Sequence, residues 1–351
     1  MPAQKSKYIS SFGIIGAGSF GIAVANLLAL NVRVLIYARK EEVVDQINRD
    51  HHLMGYQIHP SIQATNDLED IAKQCYTLLP IIPSGQFRSM MRNLGPFLTP
   101  AHILIHGTKG LDVEIPLSDE EALSKIKPRH VHTMSQVIRQ ESIVRRVGCL
   151  AGPNLASEIV EGQPTATVVA SPYREVVQLG KDILGSPNFR VYGNDDLIGA
   201  ELAGALKNII AIGSGILSGK GLGKNIQAML ISRGLIEMIH FGKAFGTSVS
   251  AFFGTAGVGD LIATATSDKS RNFSLGLRLG RGESIEEIKS SMPELAEGLR
   301  TLKISHALTQ SIKLRSPITS MLHQVVYHDY DIDEAIRQLL TYPYDVDVDF
   351  L

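Results

Sequence analysis

The chain has 351 residues, of which 44% are hydrophobic, and this composition suits about two domains with separate cores. It carries 34 basic and 35 acidic residues, so no overall charge favours nucleic acid or an anionic membrane as a partner. Two cysteines exclude a disulfide framework and favour a reducing cytoplasm. The amino terminus lacks an apolar signal core and no apolar run reaches the ~18 residues of a membrane span, so we expect a cytoplasmic protein without membrane insertion.

The first predicted strand, residues 12–15, runs directly into the hexapeptide GAGSFG at residues 16–21 and then into an apolar helix. This is a G-x-G-x-x-G turn in its required context. Gly16 permits the tight turn, Gly18 lets the backbone approach a pyrophosphate, and Gly21 lets the helix pack on the strand. A second strand, VRVLIY, follows at βαβ spacing. The pattern predicts dinucleotide binding, with the helix N-terminus facing the phosphates.

The second strand ends at Tyr37-Ala38-Arg39-Lys40, without the acidic residue that would accept a hydrogen bond from a ribose 2′-hydroxyl. Arg39 can instead pair with a 2′-phosphate, so NADP(H) is favoured and NAD(H) is possible. Alternatively, Arg39 stacks on the adenine and discriminates little between the two cofactors.

Residues 41–191 continue to alternate between strand and helix patterns. Pro80 lies within the apolar run YTLLPIIP, where it is unusual for a central strand and can shorten it. A helix is predicted after Pro83, and the strand HILIH precedes a turn that contains Lys109. Further strands are predicted at VGCLAG, ATVVAS and FRVYG. Ligands of doubly wound sheets collect at the carboxyl ends of strands, where both Ser84 and Lys109 should lie.

Beyond Asn194 helical patterns replace strand patterns. We therefore predict a Rossmann-type doubly wound α/β sheet over residues 8–196, an all-helical substrate-binding domain over 197–342, and an acidic tail over 343–351. A glycine-rich turn, GTAGVGDL, is expected between two of the helices.

The segment from Glu201 to Leu217, ELAGALKNIIAIGSGIL, is apolar on all sides of a helical period and should be buried. Lys207 is then partly desolvated, which is costly unless the ammonium finds a partner or loses its proton. Small residues such as Gly204 and Ala211 share its face and leave room for a ligand. The alternative is that the ammonium reaches water at the rim of the helix.

Four separated segments carry polar residues that packing alone does not require, and together they predict a small anionic substrate. They are Thr108-Lys109-Gly110, Gly152 to Ala156, Lys207-Asn208, and Asp260 with Ser270-Arg271-Asn272. Arg271 offers a planar fork for a phosphate, although Ser-Arg-Asn can also be a helix cap with a solvent-facing arginine. Asp260 can either cap a helix or orient a catalytic lysine. No histidines have metal-ligand spacing, so no metal is predicted.

These segments, taken in order, resemble the NAD(P)-dependent glycerol-3-phosphate dehydrogenases of the bacterial type from Gly13 to about Leu340. The motifs that carry the resemblance are GAGSFG, TKGL, GPNLASEI, GALKN, AMLISRGLIEM, FFGTAGVGDL, SDKSRN and ELAEG. The resemblance implies reversible hydride transfer between C2 of sn-glycerol 3-phosphate and C4 of the nicotinamide, which gives dihydroxyacetone phosphate. The reductive direction would supply the phospholipid backbone.

The resemblance also assigns roles to individual residues, with Lys207 as proton donor and acceptor. The implied substrate contacts are Lys109, Gly152, Asn154, Lys207, Asp260, Ser270, Arg271 and Asn272. The implied cofactor contacts, besides the three glycines of the turn, are Ser19, Phe20, Arg39, Lys109, Ala156, Arg271, Leu295 and Glu297. Asn154 stands where the family usually has Ser or Thr, and we expect activity to be retained with altered geometry.

The chemistry of the residues agrees with these roles. Ketone reduction leaves negative charge on oxygen, which an ammonium can stabilise and then protonate. To act in both directions, Lys207 needs a pKa lowered from ~10.4 toward neutrality; burial and Lys109 would lower it, and Asp260 would oppose them. The GALKN and Ser-Arg-Asn segments argue against a β-hydroxyacid or ketopantoate-type reductase, and the intact polar set argues against a non-catalytic NADP(H)-binding sensor. A homodimer through the helical domain is expected.

Overall fold

A computed structural model of the chain describes residues 11–292, 294, 296–343 and 346–348. The strands of the described residues are β1 (Ser11–Ile15), β2 (Arg33–Tyr37), β3 (His52–Leu53), β4 (Tyr56–Gln57), β5 (Gln63–Thr65), β6 (Thr77–Pro80), β7 (Ile103–His106), β8 (Asp112–Val113), β9 (Val131–His132), β10 (Arg146–Ala151), β11 (Thr165–Ala170) and β12 (Phe189–Asn194).

The α-helices of the described residues are α1 (Ser19–Ala29), α2 (Glu41–Asp50), α3 (Leu68–Gln74), α4 (Ser84–Leu94), α5 (Glu120–Ser124), α6 (Met134–Glu141), α7 (Ala156–Val160), α8 (Arg174–Leu184), α9 (Leu197–Gly219), α10 (Lys224–Ala244), α11 (Ser250–Phe253), α12 (Asp260–Ala265), α13 (Arg271–Gly280), α14 (Ile285–Ser291), α15 (Glu297–Ser311), α16 (Pro317–Tyr327) and α17 (Ile332–Leu340).

Among the described residues, eight strands form one sheet in the order β12-β11-β10-β7-β6-β1-β2-β5. Its strands are parallel except where β10 meets β11. Apolar side chains of α1 and α8 pack on one face, and those of α3, α4 and α6 pack on the other. From Leu197 onward the described residues form helices and connections without strands. This arrangement confirms the predicted fold class, a Rossmann-type doubly wound sheet followed by an all-helical C-terminal domain.

Pro80 lies at the end of a central strand, which explains how the sheet accommodates it. Strand β6 has four residues, all buried, and Pro80 is the last of them. Pro80 has no N–H to donate to the ladder, but its carbonyl still accepts from the Gly107 amide, just beyond β7, at 2.9 Å. The strand is therefore short, as the proline predicted, and the chain turns at once toward Ser84.

Helix α9 forms the centre of the helical part of the chain. Every residue from Gly199 to Leu217 is buried, as the apolar pattern predicted, and α10, α12, α13 and α15 pack around the helix. It is long and apolar enough to cross a bilayer, but protein surrounds most of it. Glycines bring α13 into backbone contact with α9, since a Cβ at Gly276 would lie 2.0 Å from the Ile212 carbonyl oxygen.

The segment GTAGVGDL is helical, so the predicted glycine-rich turn is wrong. Residues Thr255–Gly259 form a π-helical turn that leads directly into α12. The glycines serve close packing here, because a Cβ at Gly257 would lie 2.0 Å from the Phe252 carbonyl oxygen. This arrangement places Asp260 at the first position of α12, buried and turned toward α9.

Candidate active site

The glycine-rich turn has the geometry of a phosphate-binding loop. Gly16 adopts φ +119°, and its amide donates to the Tyr37 carbonyl at 3.0 Å. A side chain at Gly21 would clash with the Gly16 carbonyl, at 2.1 Å from its Cβ. At Gly18 the nearest atom to an added Cβ lies 3.7 Å away, so the backbone is open to an approaching group. Gly18 is the N-cap residue of α1 and has no side chain to cap the helix. The N–H groups of the first turn therefore face the open space beside Gly18.

A carboxylate lies at the N-terminus of α1. The Ser19 hydroxyl donates to Glu294 at 3.2 Å and 3.0 Å, and the Ser19 amide lies 3.5 Å from the same carboxylate. An anion therefore fits here, which is what a dinucleotide pyrophosphate requires. Phe20 packs over Gly107 at the carboxyl end of β7, and Ala156 packs with α1 against the same core. The residues of this loop thus fit a nicotinamide dinucleotide.

Arg39 is exposed and lies two residues beyond the end of β2. Its charge acts on Tyr37: burial raises the pKa of the tyrosine hydroxyl, and the nearby guanidinium opposes that rise. The Tyr37 carbonyl in turn accepts from Gly16. Arg39 is therefore positioned beside the glycine turn, at a distance from the lysine cluster described next.

Two lysines share one buried carboxylate. Asp260, with a side chain only 1% exposed, accepts from Lys207 at one oxygen and from Lys109 at the other, the latter at 2.8 Å. Lys207 also donates to the Thr264 hydroxyl, and Lys109 donates to the Gly152 carbonyl at 2.8 Å. The α9 lysine, the turn after β7 and the start of α12 thus meet at one point, and Lys207 does not reach water at a helix rim.

Burial lowers the pKa of Lys207 from its usual 10.5 to about 7. Lys109 acts in the same direction because it places a second positive charge nearby, and Asp260 opposes both by favouring the ammonium. The direction agrees with the expectation from the sequence. A lysine with this pKa can both donate and accept a proton near neutral pH.

A chain of amides connects the lysine cluster to the start of α13. The Asn272 side-chain amide donates to Asn208 at 2.9 Å, and the Asn272 oxygen accepts from the Gly298 backbone amide at 2.9 Å. Asn208 follows Lys207 in α9, and its own amide lies 3.4 Å from the Lys109 carbonyl. The first turn of α13 is therefore held against the lysine cluster.

The Ser-Arg-Asn segment caps α13, as one of the two interpretations predicted, but its arginine is not simply solvent-facing. Ser270 is the N-cap of α13 and accepts from the Phe273 amide at 3.3 Å. Arg271 is about half exposed and pairs with Glu294 at 3.0 Å, while Asn272 is buried. The arginine is thus directed toward the glycine turn and not freely into solvent.

Gly152 and Asn154 lie at the end of β10. Gly152 has φ +109°, a conformation that favours glycine, and turns its carbonyl toward Lys109. The Asn154 amide nitrogen donates to Thr167 at 2.9 Å, and its buried side-chain oxygen has no hydrogen-bond partner among the described residues. This oxygen remains available as an acceptor.

Glu297 connects the helical part of the chain to the sheet. Its carboxylate accepts from the Ser84 amide at 3.0 Å and from the Ser84 hydroxyl. A Cβ at Gly110 would lie 3.0 Å from the same carboxylate, so Glu297 sits beside the Lys109 turn. Ser84 and Lys109 are close to each other at the carboxyl ends of β6 and β7, as predicted. Leu295 lies outside the described residues.

Three functional candidates escaped the sequence interpretation. Thr264 lies one helical turn beyond Asp260, and that spacing could have identified it as a partner of Lys207. Glu294, in the ELAEG motif, and Glu201, in the central apolar segment, were given no role, because their partners are distant in sequence. Glu201 accepts from the His106 ring at 2.8 Å and from the Ser135 amide at 2.7 Å, which fixes α9 to the end of β7.

A dinucleotide-binding turn beside a buried lysine of lowered pKa defines a class, the two-domain nicotinamide-dependent oxidoreductases. Residues 11–177 match the N-terminal region of the NAD-dependent glycerol-3-phosphate dehydrogenases, and residues 196–337 match the C-terminal region. The chain belongs to this NAD-dependent glycerol-3-phosphate dehydrogenase family, which makes it an NAD(P)-dependent oxidoreductase and confirms the resemblance found in the sequence.

Individual relatives agree over almost the whole chain. A glycerol-3-phosphate dehydrogenase (NAD(P)+) of Saccharophagus degradans is 36% identical, with 99% of this chain and 93% of the relative aligned. That of Staphylococcus carnosus is 36% identical over 95% of this chain and 98% of the relative. The crystal structure of glycerol-3-phosphate dehydrogenase from Coxiella burnetii superposes with a TM-score of 0.85 at 31% identity, covering 95% of this chain and 99% of that one.

Proposed function

We propose that the chain interconverts dihydroxyacetone phosphate and sn-glycerol 3-phosphate, with reduction as its direction in the cell and phospholipid synthesis as the use of the product. Family membership supports the reaction. The observation that supports the mechanism is the buried Lys207, whose pKa of about 7 suits proton transfer in both directions.

Lys207 is the proposed acid and base. Its ammonium lies where α9, α12 and the Lys109 turn meet, and a substrate carbonyl oxygen bound beside it would receive its proton as negative charge develops. In the opposite direction the neutral amine removes the proton of the C2 hydroxyl. When bound, the nicotinamide supplies or accepts the hydride. Asp260 and Thr264 hold the lysine nitrogen in place, and Lys109 adds positive charge near the oxygen.

The phosphate end of the substrate is proposed to bind at the start of α13. Arg271 and Asn272 offer charged and neutral donors there, and Ser270 brings the first turn of the helix, with its N–H groups, to the same place. The Asn208–Asn272 hydrogen bond sets this anchor beside Lys207. The Gly152 and Asn154 segment forms another wall of the substrate site, with the unpaired Asn154 oxygen as an acceptor for a hydroxyl.

The cofactor is proposed to lie along the glycine turn, with Gly16, Gly18 and Gly21 giving access to the backbone. Its remaining proposed contacts are Ser19, Phe20, Arg39, Lys109, Ala156, Arg271, Leu295 and Glu297. NADP(H) is the proposed preference, because Arg39 is exposed beside the turn and no carboxylate occupies the end of β2.

The proposed division into domains, 8–196 and 197–342 with an acidic tail at 343–351, is supported by the end of β12 at Asn194 and the start of α9 at Leu197. A homodimer through the helical domain is supported by exposed apolar side chains there, such as Met229 and Leu340. A cytoplasmic location is supported by two buried, unpaired cysteines.

The test of the proposed function is a direct assay of purified protein with dihydroxyacetone phosphate and either NADPH or NADH, followed at the absorbance band of the reduced nicotinamide. We expect oxidation of both cofactors, faster with NADPH at equal subsaturating concentration. No oxidation of either would contradict the proposed reaction. Equal kcat/KM for the two would contradict only the preference assigned to Arg39.

A further inference from the structure

Glu294 contacts both proposed binding sites at once. Its Oε2 atom accepts from the Ser19 hydroxyl at 3.0 Å and from an Arg271 guanidinium nitrogen at 3.0 Å. Ser19 belongs to the GAGSFG segment and is the first residue of α1, and Arg271 is the first residue of α13. A single carboxylate oxygen therefore connects the proposed cofactor loop to the proposed phosphate anchor of the substrate.

The carboxylate and a cofactor phosphate require the same donors. The N-terminus of α1 favours negative charge through its N–H groups and helix dipole, and Glu294 supplies that charge. Two anions cannot share this position without repulsion. A pyrophosphate that binds over Gly18 and Ser19 must therefore displace the Glu294 carboxylate.

The same carboxylate also affects the substrate site. Paired with Glu294, Arg271 has its charge partly neutralised and one of its N–H groups engaged. A substrate phosphate that uses this guanidinium must compete with Glu294. Displacing the carboxylate would remove both obstacles in one step, because the two contacts share an oxygen atom.

Displacing the Glu294 carboxylate does not require a helix to unfold. It lies in the connection between Ser291, the last residue of α14, and Glu297, the first residue of α15. Its side chain is only 24% exposed, yet its hydrogen bonds run to Ser19 and Arg271, in other elements. Glu297 remains anchored on Ser84 three residues later, so α15 need not shift when the Glu294 carboxylate leaves.

We propose that Glu294 couples the two sites: the cofactor phosphates displace its carboxylate from Ser19, and this releases Arg271 to bind the phosphate of the substrate. The proposal rests on the proposed function in one respect, the role of Arg271 as a phosphate anchor. Coupling of this kind is reciprocal, so bound substrate strengthens cofactor binding by the same factor. Glu294 is a positioning residue in this scheme, since it acts through Arg271.

The first test measures cofactor binding directly by calorimetry with NADP+ and the Glu294→Gln variant. The variant keeps the size of the side chain and removes the competing charge. We expect binding about two- to fivefold tighter than in the unmodified protein, the effect of one partly exposed ionic contact. Glu286→Gln is the matched control, because it removes an exposed carboxylate of α14 for which no contact with the loop is seen, and it should leave the affinity unchanged. Weaker NADP+ binding by Glu294→Gln would overturn the proposal.

The second test measures the Kd of dihydroxyacetone phosphate with and without saturating NADP+, a pair that cannot react. In the unmodified protein NADP+ should tighten substrate binding by about two- to fivefold, and in Glu294→Gln this ratio should fall toward one because Arg271 is already free. An unchanged ratio would overturn the coupling and leave the proposed function standing. Failure of dihydroxyacetone phosphate to bind under either condition would overturn the proposed function and the coupling with it, while the NADP+ measurement would still report on Glu294 and Ser19.

Discussion

Lys207 and Asp260 form an ion pair that is almost entirely excluded from solvent, with side chains 6% and 1% exposed. Burial of an isolated ammonium would be strongly unfavourable, and the carboxylate offsets only part of that cost. Lys109 shares the carboxylate from its other side and adds a second positive charge, so burial and Lys109 together outweigh Asp260. The pKa of Lys207 is therefore about 7, well below its usual 10.5.

Replacing Lys207 with Met should reduce kcat by ~100-fold or more, because it removes the proposed acid while preserving an unbranched apolar stem. The glycine turn is untouched, so the Kd of NADP+ should stay within about twofold of the original value. Steady-state kinetics and calorimetry provide the two measurements. An equal loss of cofactor affinity would instead show that Lys207 supports the structure.

The rate should depend on pH with opposite sign in the two directions. Reduction needs the ammonium form of Lys207, so its kcat/KM should fall as pH rises through about 7. Oxidation needs the neutral amine and should become faster over the same range. In Asp260→Asn the carboxylate that raises the lysine pKa is lost, so the falling limb for reduction should move to lower pH. Profiles that are flat between about pH 6 and pH 9 in both directions would exclude Lys207 as the titrating group.

Arg271→Ala should chiefly raise the KM for dihydroxyacetone phosphate, by about tenfold or more, because a charged donor to the phosphate is lost. Arg278→Ala is a suitable control. It lies on the same helix but pairs with Glu283, away from the site. If the two variants showed the same KM, the phosphate would have to bind elsewhere.

Arg39→Ala should lower kcat/KM for NADPH by about tenfold and leave the value for NADH nearly unchanged, because only NADPH carries the 2′-phosphate. Arg49→Ala removes a comparable exposed charge from the neighbouring α2, where it pairs with Asp50, and should alter neither value. Parallel losses with both cofactors would favour stacking of Arg39 on the adenine.

Glu237 gives a prediction about stability. Burial raises its pKa from 4.5 to about 7, although amide donors from Ile318 and Thr319 at the start of α16 oppose the shift. A carboxyl group with a raised folded-state pKa contributes stability that is fully present below pH 4.5 and is lost as pH rises through about 7.

Glu237→Gln removes this titration. The amide fits the donors less well, so the variant should unfold at a lower temperature than the unmodified protein at about pH 5, with a gap that narrows toward about pH 8. Thermal unfolding followed by circular dichroism across this range measures the gap. A constant difference in Tm would show that Glu237 does not titrate between those values.

The parts of the structure that follow from local pattern were predictable. The glycine turn needs only short-range spacing, and its strand, turn and helix occur where the sequence indicates. The burial of Lys207 follows from apolar residues on every side of one helix. The proximity of Ser84 and Lys109 follows from the rule that carboxyl ends of parallel strands share an edge.

The remainder depends on contacts between distant parts of the chain. Glu294 and Ser19 are separated by 275 positions, and no local pattern indicates such a pair. The antiparallel pairing of β11 with β10 is likewise set by tertiary packing, since a strand pattern carries no direction. The predicted turn around Gly257 was wrong for a different reason. Glycine is typical of turns, but here it allows a helical segment to lie against the Phe252 carbonyl.

The glycine contacts between α9 and α13 have one more consequence. A Cβ at Gly215 would lie 2.1 Å from the Phe273 carbonyl oxygen, so the two helices touch through their backbones with no space for a side chain between them. Lys207 belongs to α9, and Ser270 is the N-cap residue of α13. If the substrate phosphate binds at the start of α13 as proposed, main-chain contacts set its distance from Lys207, and no rotamer change can adjust that distance. The site would then select substrates by the number of bonds between the reacting carbon and the phosphate.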